Sequence, residues 1–273
     1  MLWPMAAWSK VRVLAWGLAS GAFAVTVACK VLPASTKTTI DSTAHDIDVG
    51  NVEAEQPVAL KGLVITGVAI DDGVDPATEK CRYRAFAQDP AGEAPSGLVL
   101  YAYGPQCQGA ACACPSILSS GSLLDPVATI GDVYDVEGSV SIFSQGADGG
   151  PVTHSVYLTA MDKTGTNALI TPLAVSAAAD YGKGGAGFVT NESMLVRLST
   201  GAPFPVAKPD LVGSFAAAGG AWISGDYRAA WWQDGGFPTA LTELQSITGV
   251  ASPIAGGGIT PRTPDDFMGS NGK

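Results

Sequence analysis

Cys81, Cys107, Cys112 and Cys114 carry the densest candidate chemistry in the chain. Four thiolates can hold a zinc ion in a tetrahedral structural site. The spacing here, C-x4-C-x-C after a distant Cys81, lacks the paired C-x2-C hooks of such a site, and no histidine is nearby. Two disulfides are the expected alternative, provided that the protein is exported to an oxidising compartment. Cys112 and Cys114 flank a single residue, so a bond between them would be strained. Their partners are therefore Cys81 and Cys107, in either of two connectivities. Such bonds would pin the 107–114 loop to the strand that carries Cys81.

Other candidate chemistry is weaker. Asp71, Asp72 and Asp75 offer oxygens for calcium, but the run DDGVDPATEK lacks the spacing and closing Glu of a calcium loop. They read as a solvated turn, as do Asp265 and Asp266. Gly182-Lys183-Gly184 has no Ser or Thr after the Lys, which excludes a Walker-type phosphate loop. No G-x-S-x-G occurs. His45 reads as a solvated side chain and His154 as a structural residue at a strand edge. No catalytic residue, metal ligand or cofactor is expected.

Aromatic residues are the best hint of binding. Trp222, Tyr227, Trp231 and Trp232 cluster among Gly and Ala. Tyr83, Phe86, Tyr101 and Tyr103 form an earlier group, interleaved with Arg82 and Arg84. Exposed aromatic faces stack on bases and sugar rings. The competing reading is that large aromatics fill the core. The candidate ligand-binding set is Tyr83, Arg84, Tyr101, Trp222, Tyr227, Trp231 and Trp232. Arg82, Arg84, Arg197, Arg228 and Arg262 could form one local basic groove.

The elements that must position these residues read as strands and turns. The chain has 273 residues, of which 47% are hydrophobic and 15% charged, with 34 Gly and 18 Pro. That composition supports a packed core and short strands rather than disorder or helices. A net charge of −10 disfavours a generic nucleic-acid surface. Residues 1–28 contain no Asp or Glu. Lys10 and Arg12 precede an uncharged run from Val13 to Val27, the layout of a secretory signal peptide. The run is short for a membrane-spanning helix. Thr26-Val27-Ala28-Cys29 resembles a bacterial lipobox, which would make Cys29 the lipidated first residue of the mature chain. Lipidation of Cys29 leaves an even number of cysteines for disulfides. Residues 29–56 then read as a flexible, Thr- and Ser-rich tether.

Five strands are expected next: Leu60–Ile70 ending at Asp71-Asp72-Gly73, Arg82–Gln88, Gly97–Tyr103, Asp132–Phe143 with a bend at Gly138, and His154–Met161. Five strands with a long third-to-fourth connection fit a small closed barrel. The Ala-rich end of Thr164–Asp180 suggests a short helix.

These residues resemble the OB-like modules of bacterial secreted nucleases. The matching features are Gln88-Asp89-Pro90, Gly97, Gly131-Asp132 and Gly138. Downstream, Glu192–Val196 resembles the opening strand of a second module, Leu244–Val250 its closing strand, and Ile259–Phe267 the family's Pro-Arg ending. The resemblance covers roughly residues 57–268 and includes no nuclease catalytic domain. Together with the leader and tether read above, it gives an all-β chain: signal peptide 1–28, lipidated Cys29 and tether to 56, OB-like barrel 57–163, linker 164–190, second, degenerate OB-like unit 191–268, and tail 269–273. The expected role is a non-catalytic binding or structural one in the cell envelope, with a membrane partner through the lipid anchor and an envelope protein or glycan partner. A single-stranded nucleic-acid-binding module is the alternative, and a hydrolase the third reading.

Overall fold

The computed structural model describes residues 37–269, except 76–77, 92–93, 108–113, 116–122, 125–127, 145–151, 206–214, 225–242 and 253–256. Its elements begin with β1 (Ile40–Asp41) and a short helix α1 (Ala44–Asp48), followed by β2 (Pro57–Asp75), β3 (Lys80–Gln88), β4 (Gly97–Gln106), β5 (Val133–Ser144) and β6 (Val152–Gly165). Then come β7 (Leu173–Val175), a 3-10 turn at Ala178–Tyr181, α2 (Gly187–Thr190), β8 (Leu195–Leu198), β9 (Phe204–Pro205), β10 (Phe215–Ala216), β11 (Trp222–Ile223), β12 (Glu243–Ser252), β13 (Gly258–Thr260) and β14 (Phe267–Gly269). The chain is all-β in character, as its composition implies.

The five expected strands are β2 to β6, and they close on themselves. β2 pairs with β3 through its second half and with β5 through its first half. β3 pairs with β4, β4 runs parallel to β6, and β6 pairs with β5. The ring is therefore β2–β3–β4–β6–β5–β2, a five-stranded barrel with one parallel seam and the Greek-key architecture of OB-like folds. Alternation sets its interior. Tyr83, Ala85 and Ala87 of β3, Leu98, Leu100 and Ala102 of β4, and Val156 and Leu158 of β6 all face one core. Gly138 supplies the expected bend: the β5–β6 register shifts there, and a Cβ would collide with the Tyr157 carbonyl.

Two local expectations are corrected. Residues 37–56 are not a free tether. Thr43 and Asp46 cap α1 reciprocally, and Ala44, Ile47 and Val52 are buried in the barrel core. This segment lacks a long apolar run but buries three well-spaced apolar residues. Asp71-Asp72-Gly73 does not end β2. The strand passes through with a register shift, Gly73 taking φ of +80°, and turns after Asp75. The Ala-rich end does form the expected short helix, a 3-10 helix at Ala178–Tyr181, after the extended β7.

The second unit is an open sheet among the described residues. β12 is its hub, pairing with β8, β9, β13 and β14, while β7 and β11 add parallel neighbours. It has its own core, including Phe188, Val196, Phe204, Ile223, Ile247 and Ile259. The expected opening strand begins later than the sequence implied. Glu192 and Ser193 form a turn, with Ser193 at φ of +57°, and β8 starts at Leu195. A third small cluster joins the two sheets: Val250 of β12 packs on Phe86, Val99 and Tyr101, which face outward from the barrel.

Candidate functional site

The outward face of β3 and β4 carries an aromatic and cationic ladder. Alternation places Lys80, Arg82, Arg84 and Phe86 of β3 beside Val99, Tyr101 and Tyr103 of β4, with Tyr157 of β6 alongside. Tyr157 is sandwiched between two rings, with centroids 5.3 Å from Tyr101 and 5.2 Å from Tyr103. The Arg82 guanidinium lies 4.8 Å from the Tyr101 ring centroid and donates to the Tyr157 hydroxyl at 3.5 Å. Lys80 lies over the Tyr103 ring at 5.9 Å. Tyr103 donates its hydroxyl to Asp75 at 2.9 Å. Burial and that bond together push its phenol above the ordinary range.

The ladder divides along its length. Toward Gly97, Phe86, Val99 and Tyr101 are buried under Val250, and Arg84 is 6% exposed beside Phe86. Toward Gln106, Arg82, Tyr103 and Tyr157 are half-buried and Lys80 is exposed. Only the second half presents ring edges and cations to a ligand. OB-like barrels bind oligonucleotides and oligosaccharides on the face of their second and third strands, here β3 and β4.

Several predicted site residues fall elsewhere. Tyr83 points into the barrel, fully buried, and donates to the Pro115 carbonyl at 2.7 Å. Arg84 and Tyr101 lie on the ladder but in its buried half. Trp222 is half-buried in the second sheet, with the Lys183 ammonium 3.9 Å from its ring centroid. Tyr227, Trp231, Trp232 and Arg228 lie outside the described residues, as does Cys29. The described arginines do not form one groove. Arg82 and Arg84 share the ladder, whereas Arg197 and Arg262 line a separate groove of about 380 Å³ with Thr66, Thr248 and Asp266. There Arg262 is engaged by Asp266 through two side-chain bonds of 2.8 and 3.1 Å. The residues that sequence reasoning underweighted are Lys80 and Tyr157. The signal available for them was strand alternation, which puts Lys80, Arg82 and Arg84 on one face.

One of the expected cysteine pairs is present. Cys81 and Cys114 are at disulfide distance, with Cα atoms 5.5 Å apart. Cys107 is disulfide-bonded as well. Cys112 lies outside the described residues. Asp75, read as part of a solvated turn, is buried and accepts hydroxyls from Thr78 and Tyr103, both at 2.9 Å.

A second constellation was not anticipated. Asp48 ends α1, His154 lies near the start of β6, and Glu192 sits in the turn before β8. His154 Nδ1 is 3.0 Å from Glu192 Oε2 and 3.9 Å from Asp48 Oδ1. The His154 backbone N–H donates to the other Glu192 oxygen at 2.6 Å. Side-chain exposures are 1% for Asp48, 4% for Glu192 and 14% for His154. Burial, reinforced by the Glu192 charge, pushes the Asp48 carboxyl up to about 9. The nearby Gly97 amide pulls the other way but does not reach hydrogen-bond geometry. Burial also raises Glu192, against the opposing pull of His154. His45, expected in solvent, is half-buried, with Nδ1 2.9 Å from the Pro95 carbonyl.

Compared with known protein families and with curated proteins, the chain matches none.

Proposed function

We propose that this is an exported, lipid-anchored envelope protein with a non-catalytic binding role, and that it recognises its ligand on the open half of the β3–β4 face. The observation that carries the reading is the Lys80–Arg82–Tyr103–Tyr157 patch, which combines cations and stacked rings on the barrel face used for oligomer recognition. Flat aromatic surface with flanking donors suits a sugar ring, where stacking and hydrogen bonds act together. The export and anchor parts rest on the acid-free residues 1–28 and on Cys29 after a small residue. The −10 net charge favours a neutral glycan over nucleic acid as the partner.

The test uses the full chain in mild detergent with its disulfides intact. Fragments of neutral cell-wall glycan and labelled single-stranded DNA are titrated separately at low and physiological salt. Glycan binding that varies little with salt and is lost in Tyr103→Ala is the expected result. DNA binding that weakens steeply with salt and is lost in Arg82→Ala would replace this reading with the nucleic-acid one. No binding of either probe would refute both. Fractionation tests the anchor separately: a Cys29→Ser variant that stays in the membrane would refute lipidation.

A further inference from the structure

Asp48, His154 and Glu192 come from three separate parts of the fold: the N-terminal helix, the barrel and the second sheet. One candidate donor atom from each lies within 4.8 Å of the other two. Neither oxygen of Asp48 has a hydrogen-bond partner, although the side chain is 1% exposed and one oxygen is directed at His154. Among the described residues, no Lys or Arg pairs with Asp48 or Glu192. Two buried carboxylates thus share one imidazole. Buried charge without a partner is costly, and native structures resolve it with a proton, a counter-charge or a metal. The orphaned oxygens of Asp48 at this junction call for a guest.

The donor set identifies that guest. Calcium and magnesium prefer oxygen-only shells, whereas an imidazole nitrogen with carboxylates suits zinc and its first-row neighbours. A tetrahedral ion with bonds of about 2.0–2.1 Å separates its ligands by about 3.3–3.4 Å. The observed separations of 3.0 and 3.9 Å bracket that edge. A divalent ion also cancels the two carboxylate charges. Glu192 is already oriented, because the His154 amide holds its second oxygen and leaves Oε2 facing Nδ1.

We propose that Asp48, His154 Nδ1 and Glu192 form a site for one divalent first-row transition ion of the zinc type, clamping the N-terminal helix and the second sheet to the barrel. Binding needs both carboxyls deprotonated and the imidazole neutral, so metal uptake weakens at low pH. The partial exposure of His154 provides the route of entry. The cysteine trio Cys81, Cys107 and Cys114 is similarly compact, but disulfide bonding removes the thiolates a metal would need.

The test is a Zn²⁺ titration of the chelator-stripped full chain in mild detergent, with disulfides oxidised and a chromophoric competitor present. One zinc per chain is expected, with a matching rise in the urea midpoint. Asp48→Asn and Glu192→Gln are expected to weaken binding by more than about a hundredfold, since changes around metal ligands alone cost 10–100-fold. Co²⁺ substitution is the second readout and does not depend on stability. It should give visible absorption typical of nitrogen and oxygen ligands, without thiolate charge transfer, and that absorption should change in His154→Gln. Zinc that binds equally well to wild type and Asp48→Asn, thiolate absorption with cobalt, or no stoichiometric binding would each overturn the proposal.

Discussion

Gly97→Ala tests how the two sheets are locked together. Gly97 opens β4, opposite Gln88 of β3, and its backbone is in an ordinary conformation for any residue. An alanine there would meet only a packing problem. Its Cβ would collide with the Ser193 carbonyl carbon and lie 2.6 Å from both the Glu192 oxygen and the Met194 nitrogen. Ordinary contact begins at 3.4 Å, so one backbone must move by about 1 Å. Neither moves freely. The turn is held by Ser193 N to Ala251 O at 2.8 Å and Ala251 N to Met194 O at 2.9 Å. Leu195 N also donates to the buried Gln88 side chain at 3.0 Å, linking β8 to the barrel. Overpacking costs about 1–3 kcal/mol. Losing the Gln88 bond adds about 1 kcal/mol. Reduced freedom of the unfolded chain returns about 0.4–1 kcal/mol. The net expectation is a loss of about 1–4 kcal/mol in urea denaturation followed by circular dichroism. Gly165→Ala is the matched control. Its φ is also ordinary, and its nearest neighbour is the Val133 side chain at 3.3 Å. If Gly97→Ala proved as stable as Gly165→Ala, the tight backbone approach would not be a real constraint.

Three further outcomes follow. Replacing Cys81 and Cys114 together by Ala opens a loop with a sequence separation of 33. Loop entropy predicts about 4 kcal/mol of lost stability, measurable as a lower urea midpoint, and a loss below about 1 kcal/mol would refute the cross-link. Asp132 opposes the cost of its own burial with the Lys163 ammonium at 2.7 Å and two bonds from Thr129, which hold its carboxyl below the usual range. Its stabilisation is therefore present above the unfolded-state value of about 4 and lost as pH falls through the lower folded-state value. Asp132→Asn should cost about 1–2 kcal/mol at neutral pH, modest because Lys163 is half-exposed, and the gap should close in acid melts. Tyr83→Phe removes a buried hydroxyl and orphans the Pro115 carbonyl, so it should cost about 1–2 kcal/mol while leaving ligand titrations unchanged.

The barrel was legible because its strands are rich in Val, Ile and aromatic residues and are punctuated by turn residues. Arg82–Gln88, Gly97–Tyr103 and His154–Met161 lie within β3, β4 and β6. What was illegible depended on which face meets which neighbour. In RYRAFAQ, Tyr83 looks as available for binding as Tyr101. Only the barrel's closure sends one inward to the core and the other outward beneath Val250. The N-terminal stretch misled because its anchoring is sparse. Ala44, Ile47 and Val52 bury themselves among polar residues, and a five-residue helix offers too few turns for a helical period to show. The Asp48–His154–Glu192 junction could not be read at all. Its members are separated by long stretches of chain, and no local spacing motif relates them.

One repeated motif on β3 stands in two environments, and the proposed binding role of its open end can be separated experimentally from packing. Arg82 and Arg84 occupy the same outward face, each beside an aromatic ring, at 4.8 Å from Tyr101 and 5.9 Å from Phe86. The second sheet covers one end of this face and leaves the other open, so the two arginines differ in burial. Arg84, at 6% exposure, has its stem packed and its charge largely desolvated. Its cation–π contact is worth about 2 kcal/mol in such surroundings, and truncation also removes the packing of the stem. Arg84→Ala should therefore lower stability by at least about 2 kcal/mol, with any loss of ligand binding following from partial unfolding. Arg82 is half-buried at the open end, where such a contact contributes about 0.5–1 kcal/mol. Arg82→Ala should leave the urea midpoint nearly unchanged and weaken binding in the folded protein. Paired denaturation and ligand titrations on both variants decide the matter. The crossed result, with Arg82 controlling stability and Arg84 controlling affinity, would mean that recognition does not occur at the open end of the ladder.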